Sequence, residues 1–306
     1  MTQALSAKPF LKWAGGKRQL LDAIAVRLPS GLHDGTITRY VEPFVGSGAV
    51  FFHLTQAYRF EETLLMDANE ELVLTWQVVR DAVESLIDRL KTMQKHYLAR
   101  DEAQRKALFL ETREAFNADR PAYNFKRPPK GGVNRAAQVI FLNRTCFNGL
   151  FRVNSRALFN VPFGKYESPR ICNAENLLTV SKLLQGVRIE CGDFERAANF
   201  IDENTFVYLD PPYRPISRTA SFNSYAAGTF GDAEQRRLAG FCRDINTRGA
   251  KLLLSNSDPC NETPDDDFFD RLYDGFTIER VSATRLINSV SSKRGVITEI
   301  LVRNYK

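Results

Sequence analysis

Asp210, Pro211, Pro212 and Tyr213 follow directly on an apolar run in the segment VYLDPPYRP, residues 207–215. Val207, Tyr208 and Leu209 have the make-up of a buried strand, and two prolines without N–H groups must end it. Asp210 is thereby left at the carboxyl end of a strand, the edge at which open α/β sheets hold their ligands. The nine residues alone also suit a strand followed by a proline-rich turn with a solvated acid.

A second segment, VEPFVGSGAVFF, puts Gly46 and Gly48 where a strand turns into a helix, and Asp67 closes the next strand twenty-one residues after Gly46. Glycines there let backbone approach a ligand, and an acid at that distance can accept hydrogen bonds from ribose hydroxyls. A lone G-x-G also fits a plain tight turn. Phe51 stands where a dinucleotide fingerprint wants a third small residue, and Glu42 adds negative charge that repels phosphate. S-adenosylmethionine carries a sulfonium, an ammonium and a ribose but no phosphate, so an acidic glycine loop suits it better than NAD. In FLKWAGGKRQL the earlier glycine of a phosphate loop is missing and Arg18 replaces the magnesium-binding hydroxyl, which argues against ATP. Trp13 and Lys17 could instead hold a ligand with an apolar part and a carboxylate; composition alone also allows a buried Trp beside a surface Lys.

The elements that must position these residues alternate in the α/β manner. TRYVEPF and TLLMDAN read as strands around the helix AVFFHLTQAY, the opening of a doubly wound sheet. Before them, Leu20, Leu21, Ile24 and Leu28 share a helical face that Pro29 ends. From Glu70, the residues Leu72, Trp76, Val79, Val83, Leu86, Ile87 and Leu90 recur at helical spacing and predict one long helix, with a charged helical stretch after it to Phe116. Strands resume at VRIECGDF and continue through TFVYLD, AKLLLSNS and TEILVRNY. The helix before AKLLLSNS carries the stripe Leu238, Phe241, Cys242 and Ile245, and Asp232 with Gln235 predicts a capping box at its start.

Charge singles out the helical interruption. The chain of 306 residues has net charge +6, yet between Arg120 and Arg170 ten Lys or Arg face the single acid Glu167, with Phe and Tyr interleaved. A basic stripe with aromatics is the footprint of a nucleic-acid surface, although charge runs are also common on solvated faces. An apolar fraction of 43% and a charged fraction of 25% are those of a globular protein. With no long apolar stretch and no signal-like start, a cytoplasmic location and no membrane partner are expected. Five scattered cysteines and three histidines argue against a disulfide framework or a metal site.

Taken in order, FLKWAGGK, VEPFVGSGAVFF, a basic insertion containing NRTCFNGLFRVN and FNVPFGKY, and LDPPYRPISRTASF resemble the Dam-type DNA adenine N6-methyltransferases, D12 class, of the α-group amino-methyltransferases. The likeness runs from Lys8 to Arg303. It implies a doubly wound, Rossmann-like methyltransferase sheet with an inserted, mostly helical DNA-recognition domain. Residues 1–70 and 174–306 would form the S-adenosylmethionine-binding catalytic domain and 71–173 the recognition domain.

The resemblance also implies roles. Trp13, Lys17 and Asp67 would bind S-adenosylmethionine, Asp67 on its ribose, with Glu42, Pro43, Phe44, Gly46 and Gly48 in the loop around it and Asp210 beside it. Asp193 and Phe194 match the adenine-side contact. Lys12, Arg144, Asn148, Leu150, Arg152, Asn154 and Pro162 match positions that touch double-stranded DNA, and Phe147 stands where a tyrosine is common; its ring can still insert between bases, but a hydroxyl contact is lost. Asp210 to Tyr213 match the catalytic motif: Asp210 and a proline carbonyl would accept the hydrogens of adenine N6, and Tyr213 would stack on the flipped base. GATC is the site so implied. Segment 214–230, polar and arginine-bearing, suits a loop that orders over flipped DNA or an ordinary long connection.

Other readings use the same residues. Cytosine N4 transfer needs the same polarisation, although that family more often carries Ser in place of Asp210. A glutamine-modifying methyltransferase would not need the basic insertion, and a catalytically silent DNA-binding module would need no Asp210. No obligatory protein partner is evident, and a cognate restriction endonuclease is a candidate partner.

Overall fold

A computed structural model of the chain describes residues 6–13, 15, 17–214, 230–284 and 296–306. In chain order the helices are α1 Leu21–Ala25, α2 Gly31–Asp34, α3 Ala49–Ala57, α4 Glu70–Asp81, α5 Val83–Leu98, α6 Glu102–Asp119, α7 Val133–Thr145, α8 Ala174–Leu183, α9 Asp232–Thr247 and α10 Phe268–Leu272. The strands are β1 Arg39–Glu42, β2 Glu62–Asp67, β3 Arg188–Cys191, β4 Thr205–Leu209, β5 Lys251–Ser257, β6 Thr277–Thr284 and β7 Val296–Arg303. The chain divides into two compact units: Met1–Gly16, Gly46–Phe52 and Asp67–Cys191 form the first, and Lys17–Val45, His53–Met66 and Gly192–Lys306 the second. Among the described residues no helix is long and apolar enough to cross a membrane.

The second unit carries the sheet that the alternation predicts, with six strands in the order β2-β1-β4-β5-β7-β6. β1 pairs parallel with β2 and β4, and β4 pairs parallel with β5. β7 is antiparallel to both β5 and β6. Every residue of β4 is buried, as the apolar run Phe206–Leu209 requires of a central strand. Val41, Val207, Leu209, Leu252, Leu254, Ile300 and Val302 meet Leu238, Phe241, Cys242 and Ile245 of α9 in one core. Each such side chain contributes about 1.5–3 kcal/mol when fully buried. The apolar stripe of α9 is therefore the one its spacing predicts.

The first unit is built around α7, which α4, α5 and α6 all contact. Its Arg135 is buried, pairs with Glu71 through Nε at 2.9 Å, and lies 3.6 Å from the Phe116 ring centroid. Arg135 therefore belongs to the core and not to the basic surface. Phe141 and Phe159, two of the interleaved aromatics, are likewise buried.

Two local expectations need correction. The long helix from Glu70 is two helices, α4 and α5, broken at Ala82 with φ −143° and ψ 36°. Its apolar stripe continues across the break, because the N–H of Ala82 still donates to Val78 and its carbonyl accepts from Leu86, so one residue departs while the faces stay aligned. Asp232 and Gln235 form no capping box: the N-cap of α9 is Gly231, with no side-chain cap bond. Both side chains have partners elsewhere.

Candidate active site

In the second unit Asp210 directly follows the last residue of β4, and the buried Pro211 comes next. Lys17, in the 3-10 turn Lys17–Gln19, is only 4% exposed. Its ammonium lies 2.6 Å from Asp210 Oδ1, donates to the Tyr213 hydroxyl at 2.9 Å, and stands 4.7 Å from the centroid of that ring. Ser255 of β5 donates to Asp210 Oδ1 at 3.4 Å, and its hydroxyl is 2.8 Å from that of Tyr208. Parallel register sets Leu209 against Leu254, which places Ser255 next to Asp210.

Burial raises the Asp210 pKa above its ordinary value, and Lys17 opposes the rise. For Lys17, burial works to lower the pKa, but its interactions with Asp210, the Tyr213 hydroxyl and Glu299 outweigh it and hold the ammonium protonated. Burial of the Tyr213 hydroxyl end keeps the phenol neutral.

The tetrapeptide is braced from behind. The Gln235 amide donates to the Pro212 carbonyl at 3.2 Å and accepts from Asn256 at 3.3 Å. Arg214 donates to Asp232 at 2.6 Å and Asp266 at 2.7 Å, with its guanidinium 4.0 Å from the Phe268 ring centroid. The two residues expected to cap α9 thus hold both flanks of Tyr213. Residues 215–229, on which the loop expectation falls, lie outside the described residues.

Asp193 and Phe194 open the 3-10 helix Phe194–Phe200, which the Asp193 carboxylate caps by accepting from Glu195 N–H at 3.0 Å. Arg237 of α9 pairs with Asp193 and covers the Phe194 ring at 4.6 Å. The Phe44 ring stands 5.5 Å from Phe194. Glu42 and Pro43 are buried, and Glu42 accepts from the Tyr40 hydroxyl at 2.8 Å.

The glycine turn itself belongs to the first unit. Gly46 and Gly48 have φ of +47° and +69°, a backbone that L side chains rarely adopt. A Cβ on Gly48 would lie 2.5 Å from the Trp76 ring, and one on Gly46 would lie 3.0 Å from Trp13. Trp76 Nε1 donates to the Gly46 carbonyl at 3.1 Å. Asp67 accepts from Gly46 N–H at 3.1 Å and from Asn69 N–H at 2.9 Å. Desolvation pushes its pKa up to about 6, against the pull of backbone N–H groups from Asn69, Gly46 and Ala68. Trp13 stacks on Phe151 at 5.2 Å.

All eight residues expected at DNA also lie in the first unit. Phe147 is 53% exposed at a bend where Asn148 takes φ +55°. Asn143, which carried no assignment, organises this bend: it accepts from Lys12 N–H at 2.9 Å and donates to the Lys12 and Gly149 carbonyls at 2.7 and 2.8 Å. The Lys12 ammonium lies 5.1 Å from the Tyr166 ring centroid. Arg152 is exposed, with Nε donating to Asn160 at 2.8 Å. The Asn154 side chain accepts from Arg156 and Leu158 N–H and so folds the turn between them. Pro162 is exposed and Leu150 is half-buried. Arg144 is half-buried and donates to the Phe10 carbonyl at 2.7 Å.

Sequence reasoning missed Ser255, Gln235, Asn256, Asn143 and Asn160. The only signal for any of them was the i, i+3 spacing of Asp232 and Gln235, which pointed to a different bond.

Comparison with known proteins bears on the acid at the end of β4 and on the exposed bend alike. The family model of the D12 class N6 adenine-specific DNA methyltransferases matches residues 13–287. The Type II methyltransferase M.MjaIII of Methanocaldococcus jannaschii is 46% identical over 302 residues, covering 98% of this chain and 100% of that one. The Type II methyltransferase M1.LlaDCHI of Lactococcus lactis is 36% identical, with 98% and 96% covered. A DNA adenine methylase of Haemophilus influenzae is 33% identical, with 97% and 93% covered. A match spanning nearly the whole chain takes in both the Asp210 segment and the Phe147 bend, and the chain belongs to the D12 class of N6 adenine-specific DNA methyltransferases.

Proposed function

We propose that the chain transfers the methyl group of S-adenosylmethionine to adenine N6 within GATC in duplex DNA, acting on a base flipped out of the helix. The observation that carries this reading is Asp210, an acid directly after β4 that a buried ammonium pairs with at 2.6 Å and that a braced Pro-Pro segment follows.

The residues fit this cofactor. Gly48 makes room for Trp76 and not for a phosphate, the buried Glu42 repels phosphate, and the half-buried Asp67 at the end of β2 suits ribose hydroxyls. The half-buried Phe44 offers a ring face, backed by the buried Phe194, with Asp193 at the edge for an exocyclic amine. Trp13 and Lys17 complete the set that the family resemblance suggests. When bound, S-adenosylmethionine supplies a methyl group activated on a sulfonium.

The chain's own contribution is acceptance and aim. Adenine N6 is a poor nucleophile because its lone pair is delocalised into the ring. Asp210 and a proline carbonyl accept its two hydrogens, which turns the nitrogen toward a tetrahedral geometry. Gln235 ties the Pro212 carbonyl back, so the Pro211 carbonyl is the one left to serve. Tyr213, 38% exposed, offers its ring to the flipped base.

Residues 71–173 are assigned to target recognition, with Lys12 contributed from outside that range. Phe147 is assigned as the ring that enters the base stack, and Arg152, Asn148, Asn154, Leu150 and Pro162 as groove and backbone contacts. Arg144 supports them through Phe10. The GATC assignment rests on the Dam-type resemblance of this segment. Asp210→Ala should abolish transfer while retaining most DNA affinity; transfer at the wild-type rate would refute the role given to Asp210. Plasmid treated with the wild-type enzyme should resist a nuclease blocked by GATC adenine methylation, and continued cutting would refute the site.

A further inference from the structure

Glu299 lies on β7, opposite Ser257 of β5 and Val281 of β6. Its side chain is 13% exposed, and among the described residues its Oε2 has no hydrogen-bond partner. The Lys17 ammonium stands 3.8 Å from that oxygen while holding Asp210 Oδ1 at 2.6 Å. One buried ammonium is therefore bonded to one carboxylate and about one ångström short of bonding to another.

This arrangement matters for the chemistry. Asp210 Oδ1 already accepts from Lys17 and Ser255, so an amine that is to bond this oxygen must displace one of them, and removing the partner of a buried ammonium is costly unless a second anion is at hand. The lysine stem is flexible enough to make so small a move. We propose that Glu299 is a positioning residue for methyl transfer, receiving the Lys17 ammonium when Asp210 turns to the target amine. The inference rests on the role given to Asp210 above. No covalent bond changes in the exchange: Lys17 keeps its three protons, loses a hydrogen bond to Asp210 and gains one to Glu299.

The groups facing Asp210 come from several elements. Lys17 belongs to its 3-10 turn, Tyr208 to β4, Tyr213 to the segment after it and Glu299 to β7; Glu42 of β1, bonded by Tyr40, acts with Asp210 and Glu299 on Tyr208. Burial raises the Asp210 pKa most, Lys17 lowers it, and Glu299 raises it further.

The test is the single-turnover rate of methyl transfer to an unmethylated duplex as a function of pH, for wild type, Glu299→Gln, Glu299→Asp and Asp210→Asn, with DNA affinity measured in parallel. Glu299→Gln should lower the plateau about tenfold, the worth of one charge-assisted hydrogen bond. It should also move the acid limb to lower pH, because a charge that raises Asp210 is gone, and leave DNA affinity unchanged. Glu299→Asp keeps the charge but withdraws it by one methylene, so the plateau should fall with the acid limb in place. A wild-type plateau in either variant overturns the proposal, as does a lowered Glu299→Gln plateau with an unmoved acid limb, the mark of a merely structural role. Should Glu299→Gln not fold, Glu299→Asp decides alone. Full transfer by Asp210→Asn overturns the underlying reading instead, which separates the two failures.

Discussion

The Gln235 amide donates to the Pro212 carbonyl across 3.2 Å, from the fourth position of a helix to the third residue of the segment Asp210–Tyr213. The partners of that amide are the Pro212 carbonyl, three residues beyond β4, and the Asn256 side chain near the end of β5, so α9 fixes the carbonyl direction where the sheet ladder no longer can. Gln235→Leu leaves the Pro212 carbonyl and the Asn256 amide without this partner. It should cost about 1–3 kcal/mol of stability. The single-turnover rate should fall about tenfold with little change in DNA affinity. Equal losses in rate and DNA affinity would show that Gln235 acts on binding instead.

Gly48→Ala should destabilise the protein by about 2–4 kcal/mol, because it combines a strained φ with a Cβ that meets the Trp76 ring. Adding Trp76→Phe removes the clashing atoms and should restore part of the loss in thermal unfolding. Unfolding of Gly48→Ala at the wild-type temperature would contradict the packing role of this glycine.

Asp67, through the ribose contact proposed for it, would link cofactor affinity to pH. Its folded pKa of about 6 lies above the ordinary 3.8, so its contribution to stability is fully present below the ordinary value and is lost as pH rises through about 6. Charge-assisted acceptance from ribose hydroxyls runs the other way, since it needs the carboxylate. S-adenosylmethionine affinity, measured calorimetrically, should rise between about pH 5 and pH 7 in wild type and lose that rise in Asp67→Asn. A flat wild-type profile, or the same slope in both proteins, would remove Asp67 from the ribose.

Asn160 holds Arg152 Nε at 2.8 Å across the turn that Asn154 folds, which would aim the side chain in advance for the DNA contact proposed for it. Arg152→Ala should weaken binding to the preferred duplex by about 1–3 kcal/mol and relax sequence preference. Asn160→Ala should reproduce part of the relaxed preference. Unaltered affinity and preference in Arg152→Ala would take this side chain out of the interface.

Legibility in the sequence followed the range of each interaction. β4 was readable because a central strand is buried on both faces and needs no alternation, and the stripe of α9 because one face suffices. The break at Ala82 was not, because hydrophobic period reports which face is apolar and not whether the backbone turns at one residue. Asp232 and Gln235 satisfied a local pattern, yet Arg214 and Pro212, brought near by the fold, compete successfully for their side chains. Arg135 shows the same limit for charge: the sequence counts it in a basic stripe, whereas Glu71 and Phe116 take it into the core. Glu299 was invisible for a third reason, since its approach to Lys17 depends on antiparallel pairing of the last strand.

Nucleoside analysis of DNA after reaction tests the central assignment most directly. Unmethylated duplex is incubated with the wild-type enzyme and S-adenosylmethionine labelled in its methyl group, then digested and separated. Label should be recovered as N6-methyladenine, and Asp210→Ala should yield none. Label recovered as N4-methylcytosine, or wild-type levels of N6-methyladenine from Asp210→Ala, would contradict the account.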